Sequence, residues 1–183
     1  MSETTPYGSV SQQNFDRAKT ITLLICDVDG VFSDGRIYMG NDGEELKAFH
    51  THDGFGIKAL LNIGVEIAII TGRQSKIVEQ RMQALGIRHI YQGQQDKMVA
   101  YQQMLEQLKI SANEVAYIGD DVVDTPVMLA CALGVAVQDA HPLCKQAADY
   151  ITVTPGGYGA VRELCDLILQ AKGQLENAQG MSV

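Results

Sequence analysis

The strongest constraint on this chain is one short segment. Ile21-Thr-Leu-Leu-Ile-Cys26 is nearly all apolar and stops on Asp27. A strand with one wet face alternates polar and apolar residues, so an unbroken run of this length is the pattern of a strand buried on both faces. Similar runs recur at residues 65–70, 115–118 and 135–137, with a weaker one at 150–153. Between them, apolar residues fall at helical spacing. Phe55, Ile57, Leu60 and Leu61 share one face, ended by Gly64, and Ile77, Val78, Met82 and Leu85 share another, ended by Gly86. Met98, Tyr101, Met104, Leu105 and Leu108 form a third face. Thr125-Pro126 suits an N-cap and first helical position, and predicts a helix to about residue 133. A last helix is predicted from about residue 158 to 171.

Doubly buried strands alternating with helices predict a three-layer α/β/α, Rossmann-like domain with a mainly parallel central sheet. One segment breaks the rhythm. Residues 36–38 and 45–48 flank Gly40-Asn-Asp-Gly43, and Asp-Gly between short strands signals a hairpin, here projecting after the first strand. That hairpin and one helix use up the chain between Asp27 and Thr71, so no cap domain fits there. The predicted organisation is a polar N-terminal extension at 1–20 with a short helix, a catalytic domain at 21–172, and a mobile C-terminal tail at 173–183.

Composition narrows the function classes. With 183 residues, 46% hydrophobic and 20% charged, the chain suits one globular domain. Fourteen Lys and Arg against 22 Asp and Glu give a formal charge of −8, without the broad basic face that holds nucleic acid or an anionic membrane. An anionic substrate would then need a few local cations, a metal among them. Cys26, Cys131, Cys144 and Cys165 form no CxxC pair and read as core residues in a reducing compartment. The polar first twenty residues carry no secretory pattern, and no run approaches the roughly 18 apolar residues of a membrane span. A cytoplasmic enzyme is expected.

In parallel α/β sheets, ligands bind beyond the carboxyl ends of the strands. Asp27-Val-Asp29-Gly30 follows the first strand, Thr71-Gly72-Arg73 the second, and Gly119-Asp120-Asp121 the strand at 115, with Asp124 soon after. Lys97 opens the third helix. Two like charges about 4 Å apart repel by about 1 kcal/mol in water, and by about 4 at an effective dielectric of 20. Carboxylates gathered from two strand ends therefore need a cation, and an all-oxygen set without His or Cys favours Mg²⁺. An ionised Asp beside Mg²⁺ and Lys is a competent nucleophile toward phosphorus. A second carboxylate two residues on can protonate the leaving oxygen and then activate water. A hydroxyl and an ammonium can hold the phosphoryl oxygens.

Singly, each residue has an ordinary explanation: Asp after a strand as a turn or cap, Lys97 as a solvated side chain. Together, Asp-Val-Asp-Gly-Val, Thr-Gly-Arg, Lys97 and Gly-Asp-Asp-x-x-Asp resemble the four ordered motifs of the haloacid dehalogenase phosphatase superfamily. Asp27-Val-Asp-Gly-Val-Phe-Ser-Asp-Gly, Asp53-Gly-Phe-Gly-Ile-Lys58, Ile70-Thr-Gly-Arg73, Tyr91-Gln-Gly-Gln94 and Gly157-Tyr-Gly-Ala-Val-Arg-Glu163 are similar to its capless branch acting on an eight-carbon keto-deoxy sugar acid phosphate of lipopolysaccharide synthesis. The resemblance implies Asp27 as nucleophile and Mg²⁺ ligand. Asp29 would be general acid/base and a metal ligand through its carbonyl, and Asp120 the third ligand. Asp121 and Asp124 would position the site, and Thr71 and Lys97 would bind the phosphoryl group. It also implies a homotetramer whose neighbouring subunits cover each site, as a capless enzyme excluding water requires. In such relatives the C-terminal tail reaches a neighbour's site.

Arg73 and Arg81 are the expected partners of the substrate carboxylate, a guanidinium matching that group's fork. Arg81 reads equally as a surface cation. His52 stands where the resemblance implies an arginine, which leaves a nine-carbon sugar acid open. His50, His89 and His141 have no metal-ligand spacing. Gly156-Gly-Tyr-Gly159 lacks the Lys-Ser/Thr of a phosphate loop and reads as a flexible turn. A receiver domain that stores phosphate on aspartate is the rival from another class, but Asp29 would promote hydrolysis where a receiver needs persistence. A catalytically silent interaction domain is the remaining reading.

Overall fold

The computed structural model describes residues 2–180. Its elements in chain order are β1 (Ser2–Thr5), β2 (Gly8–Ser11), α1 (Gln12–Thr20), β3 (Leu23–Cys26), β4 (Tyr38–Met39), β5 (Glu45–Leu46), α2 (Thr51–Asn62), β6 (Glu66–Ile70) and α3 (Lys76–Ala84). They continue with β7 (His89–Tyr91), α4 (Lys97–Leu108), β8 (Val115–Gly119), α5 (Thr125–Ala130), β9 (Leu133–Ala136), α6 (Pro142–Ala147), β10 (Tyr150–Ile151) and α7 (Ala160–Ala171).

Six strands form one sheet in the order β10-β9-β8-β3-β6-β7, every neighbouring pair parallel. All residues of β3, β8 and β9 are buried, as are the last four of β6. This is the burial that the continuous apolar runs require. Helices flank the sheet, with α2 against α7 and α7 against α1, and α4 against α5 and α5 against α6. The three-layer, mainly parallel fold expected from the sequence is the fold observed. Among the described residues, no helix is long and apolar enough to cross a membrane.

The strand order places the site. From β3 the chain moves outward to β6 and β7, then returns to β8 on the other side of β3 and moves outward again. The crevice beyond the carboxyl ends of such a reversal is where ligands bind. Cys26 pairs with Ile69 on one side and Ile118 on the other, so Asp27, Thr71 and Asp120 emerge side by side.

Several boundaries differ from expectation. The helix opened by Thr125 ends at Ala130, because Leu133–Ala136 pairs in register with Ala116–Gly119. Within that strand Gly134 passes so close to the Met128 carbonyl that a Cβ would overlap it, so glycine lets the strand pack against the helix. β7 and α6 were not expected: one is a half-buried three-residue edge strand, the other a single short helix capped by His141. The N-terminal extension forms an antiparallel hairpin, β1–β2, ahead of the expected helix. Residues 173–180 of the tail expected to be mobile turn back toward α2. There Leu175 and Ala178 pack on the core, and Asn62 donates to the Gln179 carbonyl at 2.7 Å. Residues 181–183 lie outside the described residues.

Candidate active site

Asp27 directly follows β3, with only 6% of its surface exposed. Its backbone N–H donates to the Ile118 carbonyl at 3.0 Å, which extends the sheet and fixes the side chain over the crevice. Lys97, the first residue of α4, brings its ammonium 3.0 Å from Asp27 Oδ1 and 2.6 Å from Asp124 Oδ1. Asp124 organises this corner. It accepts from Lys97 and from Tyr117 Oη at 2.6 Å each through Oδ1, and from the N–H groups of Asp120 and Asp121 at 3.0 and 3.1 Å through Oδ2. These bonds bend the chain after β8 so that Asp120 turns toward Asp27.

Carboxylate oxygens of Asp27, Asp120 and Asp124 lie within 4.8 Å of one another. The crowding has an electrostatic cost. Burial, with Asp124 adding to it, pushes Asp27 up to about 6 against the pull of Lys97. Burial, Asp27 and Asp124 together push Asp120 up to about 8. Burial opposes the charge on Lys97, but Asp27 and Asp124 outweigh it and hold the ammonium above its ordinary range. Asp27 Oδ1 is buried, with the Lys97 ammonium as its one close cationic neighbour among the described residues. An all-oxygen cluster of converging carboxylates with raised pKa values fits a hard divalent cation, which would let both carboxylates ionise. Because Asp124 is already committed to four donors, Asp27 and Asp120 are the carboxylates left to hold it.

Gly30 makes that arrangement possible. Its φ is +92°, and a Cβ there would overlap the Asp120 carboxylate. Asp29 turns elsewhere. Its carboxylate accepts from Lys47, whose side chain is completely buried, and lies 3.8 Å from Arg73 Nε. Glu45 Oε2 lies 3.7 Å from the same guanidinium, and Glu45 Oε1 accepts from Ser75 at 3.0 Å. Strand β5 and Lys47 after it are thereby tied to Asp29 and Arg73.

An open cavity of about 400 Å³ is lined by Asp27, Asp29, Thr71, Arg73, Lys97 and Asp120, with Gly72, Gln94, Gln95, Asp121 and Val123 completing its wall. Of the residues expected from the sequence, the four strand-end groups therefore meet. Arg81 does not line this cavity. It sits on α3 near Asp53, whose charge it feels, while partial burial lowers its own pKa. His52 is exposed at the start of α2, its ring 4.5 Å from that of His50. Lys47 and Tyr117 are functional candidates that sequence reasoning missed. Tyr117 sits inside an apolar strand, where its hydroxyl gives no signal, and Lys47 follows a hairpin strand that is not part of the central sheet.

Comparison with known proteins agrees with this geometry. The family described as haloacid dehalogenase-like hydrolase matches residues 89–163. The 3-deoxy-D-manno-octulosonate 8-phosphate phosphatase KdsC of Escherichia coli K12 is 56% identical over 179 residues, covering 98% of this chain and 95% of the relative. The crystal structure of 3-deoxy-D-manno-octulosonate 8-phosphate phosphatase from Yersinia pestis superposes with a TM-score of 0.98 at 55% identity, covering 100% and 99% of the two chains. The Moraxella catarrhalis enzyme of that name, in complex with magnesium ion, phosphate ion and KDO, has a TM-score of 0.90 at 42% identity, covering 92% and 97%. At this similarity over nearly the full length of each chain, the protein belongs to the 3-deoxy-D-manno-octulosonate 8-phosphate phosphatase family of haloacid dehalogenase-like hydrolases.

Proposed function

We propose that the chain hydrolyses 3-deoxy-D-manno-octulosonate 8-phosphate to the free sugar acid and phosphate, with Mg²⁺, as a step in lipopolysaccharide sugar synthesis. The observation that carries the reading is Asp27 itself. It is buried between Lys97 and Asp120 at the mouth of the crevice, the position where the motif resemblance implies the nucleophile.

Asp27 and Asp120 would hold the cation, together with the carbonyl of Asp29. When bound, Mg²⁺ supplies positive charge that keeps the carboxylates ionised and screens the phosphoryl oxygens. The protein's own residues do the rest. An Asp27 carboxylate oxygen attacks phosphorus, and the bond from phosphorus to the sugar oxygen breaks. Asp29, two residues on, gives that oxygen its proton. Water then attacks the aspartyl phosphate, Asp29 takes the water's proton, and Asp27 is restored as phosphate leaves. Thr71 and Lys97 hold the equatorial oxygens, where transition-state charge gathers. Arg73, half-exposed at the cavity rim, is placed to meet the sugar acid. Arg81 could serve the sugar only from a site other than the cavity of its own chain.

The open cavity and the exposed Tyr38, Met39 and Leu46 of the β4–β5 hairpin support a homotetramer in which a neighbour covers each site. The unpaired cysteines suit the cytoplasm. The deciding experiment is phosphate release from 3-deoxy-D-manno-octulosonate 8-phosphate beside a nine-carbon 9-phosphate analogue, each with Mg²⁺ and with chelator. Chelator-sensitive release favouring the eight-carbon sugar is expected. Preference for the nine-carbon sugar would keep the mechanism and overturn the substrate, and no release from either would overturn the enzyme.

A further inference from the structure

Glu163, in the first turn of α7, is buried to 1% exposure yet lies outside the cavity. Its two oxygens collect four donors. Oε1 accepts from Tyr150 Oη at 2.6 Å and from the Val153 N–H at 2.9 Å, and Oε2 from the N–H and hydroxyl of Thr154 at 3.0 and 2.6 Å. A residue needed only to start a helix would not draw in another loop this way. From the other end, exposed Asp139 accepts the Gly156 N–H at 2.8 Å. Residues 153–156, which lead into the segment read from sequence as a flexible turn, are therefore held at both ends.

What that segment touches gives the reason. Gly156 lies so close to Gly30 that a Cβ would overlap the Gly30 carbonyl oxygen. The Gly157 N–H donates to the Val31 carbonyl at 2.8 Å, and its φ of +76° brings it against the backbone of Ser33 and Asp34. Residues 30–34 continue directly from Asp29, and Asp29 is bridged to Ser33. The loop is thus a backbone wedge behind the residue that must deliver a proton.

We propose that Glu163, with Asp139 as its second anchor, is a positioning residue for the general acid/base Asp29, acting through residues 153–157. The inference rests on the phosphatase reading above. Its signature depends on the leaving group. A sugar alkoxide needs its proton from Asp29, whereas 4-nitrophenolate leaves without one. The parameter kcat/KM reports steps up to formation of the aspartyl phosphate, so it isolates the acid's part.

The test measures kcat/KM with Mg²⁺ for the sugar phosphate and for 4-nitrophenyl phosphate in wild type, Glu163→Gln and Asp139→Ala. In Glu163→Gln the amide sets an NH₂ against a backbone N–H of the loop. Asp139→Ala removes the second anchor at an exposed position where folding is not at stake. Loss of about tenfold on the sugar phosphate, with less than about threefold on the aryl phosphate, is expected for both variants, a modest fraction of the 10²–10⁴ that positioned acid catalysis supplies. Equal losses on both substrates would show a merely structural role and overturn the proposal, as would wild-type values in both variants. If wild type itself hydrolyses neither substrate, the phosphatase reading fails instead.

Discussion

Lys47 donates to the carboxylate of Asp29 from a side chain that no solvent reaches, although the two residues lie on different arms of the fold. The contact joins the β4–β5 hairpin to the loop that carries the proposed general acid/base. Lys47→Met keeps the aliphatic stem and removes the ammonium, leaving Asp29 with only the more distant Arg73. Misplacement of a catalytic group by about 1 Å can cost about 10²-fold. We expect kcat for the sugar phosphate to fall at least about tenfold while the thermal midpoint changes little. Wild-type kcat in this variant would show that the pair does not set Asp29's geometry.

Asp27→Asn keeps the shape of the proposed nucleophile and removes its charge. Activity should fall below about one per cent of wild type, since losing a catalytic nucleophile typically costs orders of magnitude. The fold should persist. Burial already holds the Asp27 carboxyl above its usual range, so a neutral amide there relieves crowding with Asp124 and Asp120. The check is phosphate release beside circular dichroism and thermal melting in chelator. Residual turnover above that level would remove Asp27 from the nucleophile's role.

Gly30→Ala tests the closeness of the loops that follow β3 and β8. The added methyl overlaps the Asp120 carboxylate, and φ of +92° is itself unfavourable for alanine. Destabilisation of about 1–3 kcal/mol is expected from the backbone conformation. A larger effect should appear in Mg²⁺ activation, with the half-saturating concentration rising several-fold as Asp120 is pushed aside. Unchanged Mg²⁺ dependence would show that Asp120 is not a ligand.

The strand ends were legible in the sequence because buried parallel strands are written as unbroken apolar runs. The residue that stops such a run stands at the sheet's carboxyl edge, and Asp27, Thr71 and Asp120 all do so. What escaped notice had no local signal. Only Val10 of strand β2 is buried, so the N-terminal hairpin carries no hydrophobic pattern. Lys47 acquires its role only when the hairpin arm folds back on Asp29. Arg81, expected either to meet the substrate carboxylate or to be a surface cation, lies in the last turn of α3, where helix geometry carries it toward Asp53.

Metal should stabilise the protein more as pH rises. Without a cation, Asp27 titrates at about 6 and Asp120 at about 8, both above the roughly 4 of an unfolded carboxyl. The folded state therefore keeps these protons longer than the unfolded chain does. Stability from them is full below about pH 4 and is lost as pH rises toward about 8. Bound Mg²⁺ compensates the ionised pair and reverses that loss. At a hundredfold excess over Kd, mass action supplies about 2.7 kcal/mol, which for a chain of this size is about 5–10 °C. We expect a midpoint gain of that order at pH 8 and a clearly smaller one at pH 5. A gain independent of pH would show that these carboxyls are not linked to the cation.

Asp53 provides a separate pH dependence, away from the cation. Its Oδ1 accepts the Arg162 N–H at 2.8 Å, capping α7, whose own N-cap residue Gly159 offers no side chain. Its Oδ2 is buried without a partner. Burial lifts the carboxyl to about 7, against the pull of that N–H and of Arg162 and Arg81. Because the folded value exceeds the unfolded one of about 3.9, the folded state binds the extra proton between about pH 4 and 7. Stability from this group falls as pH rises across that window and is flat beyond it. Asp53→Asn keeps an acceptor for Arg162 and cannot ionise. With Mg²⁺ saturating, so that the active-site carboxyls are held charged, its melting midpoint should match or slightly trail wild type at pH 5 and exceed it at pH 8. Parallel curves for the two proteins would mean that Asp53 ionises in the fold as freely as in the unfolded chain, and that the cap of α7 gains nothing from its proton.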